Sequence, residues 1–213
     1  MLYWKSHSLL LVRPYKTGST SLRKTLYNIL GNGAESWDCH PHADWKEIKA
    51  RVPADIIQNA YKVTVVRNPY TWFVSIYHYN RWAIVTNQPW VSSEHMNCME
   101  LTFPEWVTNR YRIFSYNTNP DFYSQTQWTS NCDLVARLEN LEALAPLWHY
   151  LKIEPPQIPH LKQGSHDRTA SYYTPELKDM MKQMHYSTFA TFYPGEIMTG
   201  PNPYGDDNYS TPE

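Results

Sequence analysis

The aliphatic run Leu9-Leu-Leu-Val12 ends on a loop, Arg13-Pro-Tyr-Lys-Thr-Gly-Ser-Thr-Ser-Leu22, and Leu22, Leu26, Ile29 and Leu30 then recur at helical spacing. A short apolar run bounded by a turn reads as a buried strand, and the spacing behind it reads as an amphipathic helix. The chain is therefore committed to a strand–loop–helix unit whose loop opens on a helix N-terminus. Unpaired backbone N–H groups and the positive end of the helix dipole collect there, so such a loop is a natural cradle for an anion. The charges agree: Met1 to Ala34 contains Lys5, Arg13, Lys16, Arg23 and Lys24 and no acidic residue.

The pattern recurs. Lys62-Val-Thr-Val-Val66 reads as a second buried strand, running into Arg67-Asn-Pro-Tyr70. Asn68 is placed to cap, and Pro69 to open, a helix carrying Trp72, Phe73, Ile76 and Tyr77. Between the two units, the first helix ends near Gly31 or Gly33, followed by an extended piece from Glu35 to Cys39 and a helix around Trp45 to Arg51. A third strand, Asp133 to Arg137, precedes a helical pattern through Leu141, Leu144, Leu147 and Leu151, which Pro146 kinks or divides. Thr174 and Pro175 open the best-marked helix, with an apolar stripe of Leu177, Met180, Met181 and Met184. These methionines suit a core rather than a ligand site.

Residues 82–131 carry one clear helix start, the capping box Thr102-Phe-Pro-Glu105, and read either as a lid or acceptor-binding insertion or as ordinary structure beside the sheet. The expected architecture is α/β, a three-layer P-loop-like fold with a central, mainly parallel sheet flanked by helices. Residues 1–195 form the expected domain, and 196–213 have a loop-like or disordered composition.

Bulk properties narrow the partners. A net charge of −1 over 213 residues gives no broad basic surface, so neither nucleic acid nor an anionic membrane is expected as the partner. Cys39, Cys98 and Cys132 are odd in number and contain no C-x-x-C pair, which points to a reducing compartment. The longest aliphatic run is far below the roughly 20 residues that span a bilayer, and a cytoplasmic protein with no membrane span is expected. Aromatic residues make up 15% of the chain, which fits a sugar-stacking groove or a core of large side chains.

An ATP-type phosphate loop has the order G-x-x-x-x-G-K-[ST]. Here the lysine comes first, in Lys16-Thr-Gly-Ser-Thr-Ser21. The ammonium then stands at the start of the turn and hydroxyls at the first helical turn, an order suited to a 5′-phosphate whose bridging oxygen gains charge as it leaves. The plain alternative is a Ser/Thr-rich helix cap with a surface lysine. Arg67, ending the second strand, and Ser75, eight residues on, extend the candidate site. Ligands of open parallel sheets sit beyond the carboxyl ends of the strands, which puts Arg67 and the Lys16 loop on one rim. No acidic residue occurs from Ala60 to Ser93, although a structural ion pair is the competing role for Arg67.

The pairing of RPYKTGSTSL with VTVVRNPYTWFVSIYHY resembles the sulfotransferases that use 3′-phosphoadenosine 5′-phosphosulfate, and is closest to their carbohydrate type. DLVARLENLEAL is similar to the strand and turn before a late helix in that family, and the stretch from His160 through YYTPELKDMM to FATFY193 is similar to its closing segment. Lys162 stands there in place of an asparagine. The secretory members of that carbohydrate type carry a membrane anchor, and none is expected in this chain. The resemblance implies that Lys16, Thr17, Gly18, Ser19, Thr20 and Ser21 hold the 5′-phosphosulfate and that Arg67 and Ser75 hold the 3′-phosphate. It also implies transfer of a sulfuryl group to an acceptor hydroxyl, with a carbohydrate as the expected acceptor and adenosine 3′,5′-bisphosphate as the product.

Such a transfer needs a base within reach of the acceptor proton. His42, in HPHADWKEI, is the candidate beside Lys16 for a catalytic role, with His40 as the other choice. Cys39, His40 and His42 lack a fourth ligand at a usual spacing, which disfavours a metal centre. A sulfuryl group also carries less charge than a phosphoryl group, so no divalent metal is expected. Two other readings stay open: a phosphoryl-transfer enzyme, disfavoured because KVTVV ends in Arg67 and DLVAR in Arg137 where a magnesium-holding aspartate would stand, and a noncatalytic nucleotide- or sugar-binding module.

Overall fold

The computed structural model describes residues 1–91, 93–117, 123–159 and 169–196. His160, Lys162 and the tail beyond Glu196 lie outside the described residues. Within them, four strands form one sheet in the order β1 (Leu2–Trp4), β2 (Leu9–Leu11), β3 (Tyr61–Val66) and β4 (Leu134–Arg137). β2, β3 and β4 are parallel, with Leu10 opposite Lys62 and Val65 opposite Ala136.

β1 was not legible in the sequence and runs antiparallel to β2, with Tyr3 opposite Leu10. It also replaces an expected element. Glu35 forms an isolated bridge to Tyr3, both backbone bonds being 2.9 Å, but the extended piece from Glu35 to Cys39 goes no further. Trp37 and Asp38, at φ 45° and 53°, turn the chain away.

The helices follow their caps. After β2 comes α1 (Ser19–Leu30); Asp44 then accepts from the Glu47 N–H to open α2 (Trp45–Arg51), and α3 (Ala54–Asn59) leads into β3. Asn68 accepts from the Tyr70 N–H, with Pro69 as the first residue of α4 (Pro69–Val85). Next are α5 (Ser93–Glu100), α6 (Phe103–Ser115) and the single turn α7 (Thr126–Thr129). At the start of α6 the Glu105 carboxylate accepts from the Thr102 N–H at 2.8 Å, so the capping box is in place. Pro146 divides rather than kinks its segment: a 3-10 turn over Leu141–Leu144 gives way to α8 (Ala145–Leu151), whose first turn needs no proline N–H. Thr174 caps α9 (Pro175–Met184). A further helix, α10 (Tyr186–Phe192), follows His185, so the Thr174 helix is not the last.

Strand alternation sorts the core. Leu2, Trp4, Leu9, Leu11, Val63 and Val65 face Leu22 and Leu26 of α1 and Leu147 and Trp148 of α8. Tyr3, Leu10 and Val12 face the other way, toward Trp45 and Ile48 of α2. The sheet is thus packed on both faces, an α/β arrangement with a mostly parallel sheet and flanking helices. Fully burying one such side chain contributes about 1.5–3 kcal/mol. A third cluster holds no strand residue: Trp72, Phe73 and Tyr77 of α4 pack with Phe103 and Trp106 of α6 and Met181 and Met184 of α9. The expected boundary at Trp82 falls inside α4, and α6 shares this core with α4.

Candidate anion site

The chain must reverse between the end of β2 and the start of α1, and it does so through two left-handed residues, Lys16 at φ 59° and Gly18 at φ 80°. At Gly18 the left-handed backbone is what requires glycine, and a Cβ there would also press on the Cδ1 end of the Leu138 side chain. Thr17, fully buried, and Ser19 donate their hydroxyls to the Pro14 carbonyl at 3.1 and 3.3 Å. Their side chains therefore fasten the loop, while Thr20 is half-buried and Ser21 buried. The Ser21 and Leu22 N–H groups donate to the Gly18 carbonyl, which starts the helical ladder and leaves the preceding turn as the dipole's positive end.

The Lys16 ammonium lies 4.1 Å from the centre of the Tyr79 ring. Tyr79 is itself stacked against Trp82 and Trp90, each at 5.3 Å between ring centres. α4 grips the loop elsewhere too, because the Trp72 indole N–H donates to the Tyr15 carbonyl at 2.5 Å.

Arg67 reaches the same loop. Its guanidinium donates to the Lys16 carbonyl at 3.2 Å through one terminal nitrogen and to the Thr71 hydroxyl at 2.9 Å through Nε. The Gln125 side chain brackets its backbone, accepting from the Arg67 N–H at 2.9 Å and donating to the Arg67 carbonyl at 2.7 Å. Ser75 is half-buried on α4, and Thr71 rather than Ser75 is the hydroxyl bonded to Arg67. The acid-free stretch around Arg67 gains a carboxylate from afar. Glu139 accepts from the Asn68 N–H at 2.9 Å and from the Tyr193 hydroxyl at 2.9 Å. Burial lowers the Arg67 pKa, and the Glu139 charge opposes that shift. The other cations of the stretch are engaged elsewhere: Lys62 pairs with Asp133 at 3.0 Å, and Arg81 donates to the Cys98 carbonyl at 2.8 Å.

His42 grips the opposite end of the loop. Its Nδ1 is 2.8 Å from the Arg13 carbonyl, and since a carbonyl only accepts, Nδ1 carries the proton and Nε2 the lone pair. Burial lowers the His42 pKa to about 4, with the Arg13 charge adding to the shift and the bond to the Arg13 carbonyl opposing it. The ring is therefore neutral at pH 7. His40 differs: it is exposed, and its Nδ1 accepts from the His42 N–H at 3.1 Å, so its neutral form has the proton on Nε2. Of the two, His42 alone presents an unprotonated Nε2.

The structure thus joins Lys16, Arg67 and His42 through one loop and leaves Ser75 without a bond to Arg67. It adds Thr71, Tyr79, Gln125 and Glu139, of which only the helical spacing of Thr71 from Arg67 gave any signal in sequence. Among the described residues, no helix is long and apolar enough to cross a membrane. In comparisons with known proteins, no family model, no curated protein and no solved structure matches the chain.

Proposed function

We propose that this chain is a sulfotransferase of P-loop-like fold that uses 3′-phosphoadenosine 5′-phosphosulfate, with Lys16 and His42 as its catalytic residues. One observation carries the reading: the loop between Arg13 and Lys16 is held at its two ends by the other two candidate groups, His42 on the Arg13 carbonyl and Arg67 on the Lys16 carbonyl. A cation, a neutral imidazole and a helix N-terminus thereby share one small region.

Lys16 and the N–H groups of the turn suit the 5′-phosphosulfate, and Arg67 suits the 3′-phosphate through the donors not engaged by Thr71 and Lys16. In the reaction the acceptor oxygen bonds to sulfur as the bond from sulfur to the bridging phosphate oxygen breaks. The acceptor proton passes to Nε2 of His42, and the electron pair stays on the departing phosphate. Lys16 and the loop N–H groups stabilise the charge that grows there. An anionic co-substrate beside His42 raises its pKa from the low value of the free protein and makes it a stronger base.

The test is release of adenosine 3′,5′-bisphosphate from 3′-phosphoadenosine 5′-phosphosulfate in the presence of hydroxyl acceptors, with and without a chelator. His42→Ala should lose turnover while keeping nucleotide affinity. Equal turnover in His42→Ala and wild type would remove His42 as the base, and no release with any acceptor would remove the enzyme.

A further inference from the structure

A cavity of about 180 Å³ lies against α4 and α6, with Tyr15 of the anion loop in its wall. Engineered cavities of roughly 150 Å³ admit a benzene ring, so this space takes one ring. Trp72, Phe73 and Trp106 supply flat apolar walls. Among the described residues, its polar lining is Arg110, Asn80 and the hydroxyl-bearing Tyr15 and Tyr123, with Arg110 as its one cation and no carboxylate. Asn80 Oδ1 faces the Tyr15 hydroxyl at 3.5 Å, and its Nδ2 faces the Cys98 sulfur at 3.7 Å.

Arg110 lies 5.5 Å from the centre of the Trp106 ring, and among the described residues no carboxylate forms an ion pair with it. The buried indole N–H of Trp106 has no hydrogen-bond partner. A half-buried guanidinium with no ionic partner is completed by oxygens, and it fits a carboxylate with two parallel bonds.

We propose that this cavity binds the acceptor and that the acceptor is a ring compound carrying a carboxylate, with the carboxylate on Arg110. The Tyr15 ring, 5.2 Å from that of His42, connects the cavity wall to the base. The assignment of this ligand as acceptor rests on the sulfotransferase reading above; its binding does not.

The probes are 4-hydroxybenzoate, its neutral counterpart 4-hydroxybenzyl alcohol, and glucuronate, each titrated by calorimetry into wild type, Arg110→Gln and Arg112→Gln. Arg112 is exposed on the same helix and serves as the reference. At least one acid should bind wild type and Arg112→Gln alike and lose about tenfold or more in Arg110→Gln, while the alcohol is indifferent to the substitution. Benzoate against glucuronate tells a flat aromatic ring from a sugar ring. Parallel titration with adenosine 3′,5′-bisphosphate checks that Arg110→Gln is folded and tests the parent reading separately. Acid binding that ignores Arg110→Gln, or no binding of either acid, overturns the proposal. Acid binding without bisphosphate binding overturns the role as acceptor.

Discussion

The two strand–loop–helix units look alike in sequence and differ in what their cations do. In the first, β2 to α1, Lys16 rests on an aromatic ring at the mouth of a helix. In the second, β3 to α4, Arg67 is tied to Thr71 and to the first unit's own backbone, with Glu139 close by. In the function proposed above, the first unit receives the anion. The second is built to hold the first in shape, and Arg67 has only its remaining donors for a ligand. A repeated motif therefore need not mean a repeated role, because hydrogen bonds made across the fold decide how much of each cation is left.

Acid should produce the largest effect and touch both units. His42 belongs with the first, while His185, fully buried against Trp72 and Phe73 of α4, belongs with the second. Burial lowers their pKa values to about 4 and about 3. Both folded values lie below the unfolded one of about 6.5, so the unfolded chain binds protons that the native state refuses. Stability is full above pH 6.5 and falls as the pH drops toward 4 and then 3, by roughly 3 kcal/mol for His42 alone. Urea midpoints across this range should show the loss, and His42→Asn should remove only its own share. A flat profile would contradict both burial arguments.

Lys16→Ala comes next. Removing the charge proposed to face the leaving oxygen should lower turnover by about 10²–10³-fold, with stability falling by no more than the roughly 0.5–1 kcal/mol of its contact with the Tyr79 ring. Arg67→Ala should break both properties together, weakening nucleotide binding by about 1.5–3 kcal/mol and also lowering the urea midpoint, because the Lys16 carbonyl loses its donor. An unchanged midpoint would reduce Arg67 to a ligand contact and erase the contrast between the units. Gly18→Ala should cost about 2 kcal/mol, mostly from the left-handed backbone, and Leu138→Ala in the same chain should recover only the steric part. The smallest effect is that of Tyr79→Leu, which removes a cation–π contact worth about 0.5–1 kcal/mol and should appear as a modest change in nucleotide affinity.

Much of this was readable from local pattern. Three apolar runs gave β2, β3 and β4, and Asn68-Pro69, Thr102 to Glu105 and Thr174-Pro175 marked helix starts because capping is a contact between near neighbours. β1 escaped notice because three residues show no periodicity, and its partner lies across a turn in which Ser8 is left-handed. α10 escaped because a single residue, His185, separates it from α9, and that break has no proline or glycine to announce it. In the site, the loop and Arg67 were legible as residue types at strand ends. Glu139 and Gln125 were not, since they meet Arg67 and its neighbours across 58 to 71 residues of chain. Nor could sequence separate His42 from His40, a distinction that rests on which Nδ1 donates and which accepts.

The most direct measurement is a calorimetric titration of the intact protein with adenosine 3′,5′-bisphosphate and with ATP, each with and without magnesium. The account predicts that the bisphosphate binds more tightly than ATP and that magnesium does not alter its affinity. Preference for ATP with magnesium, or no binding of the bisphosphate, would contradict it.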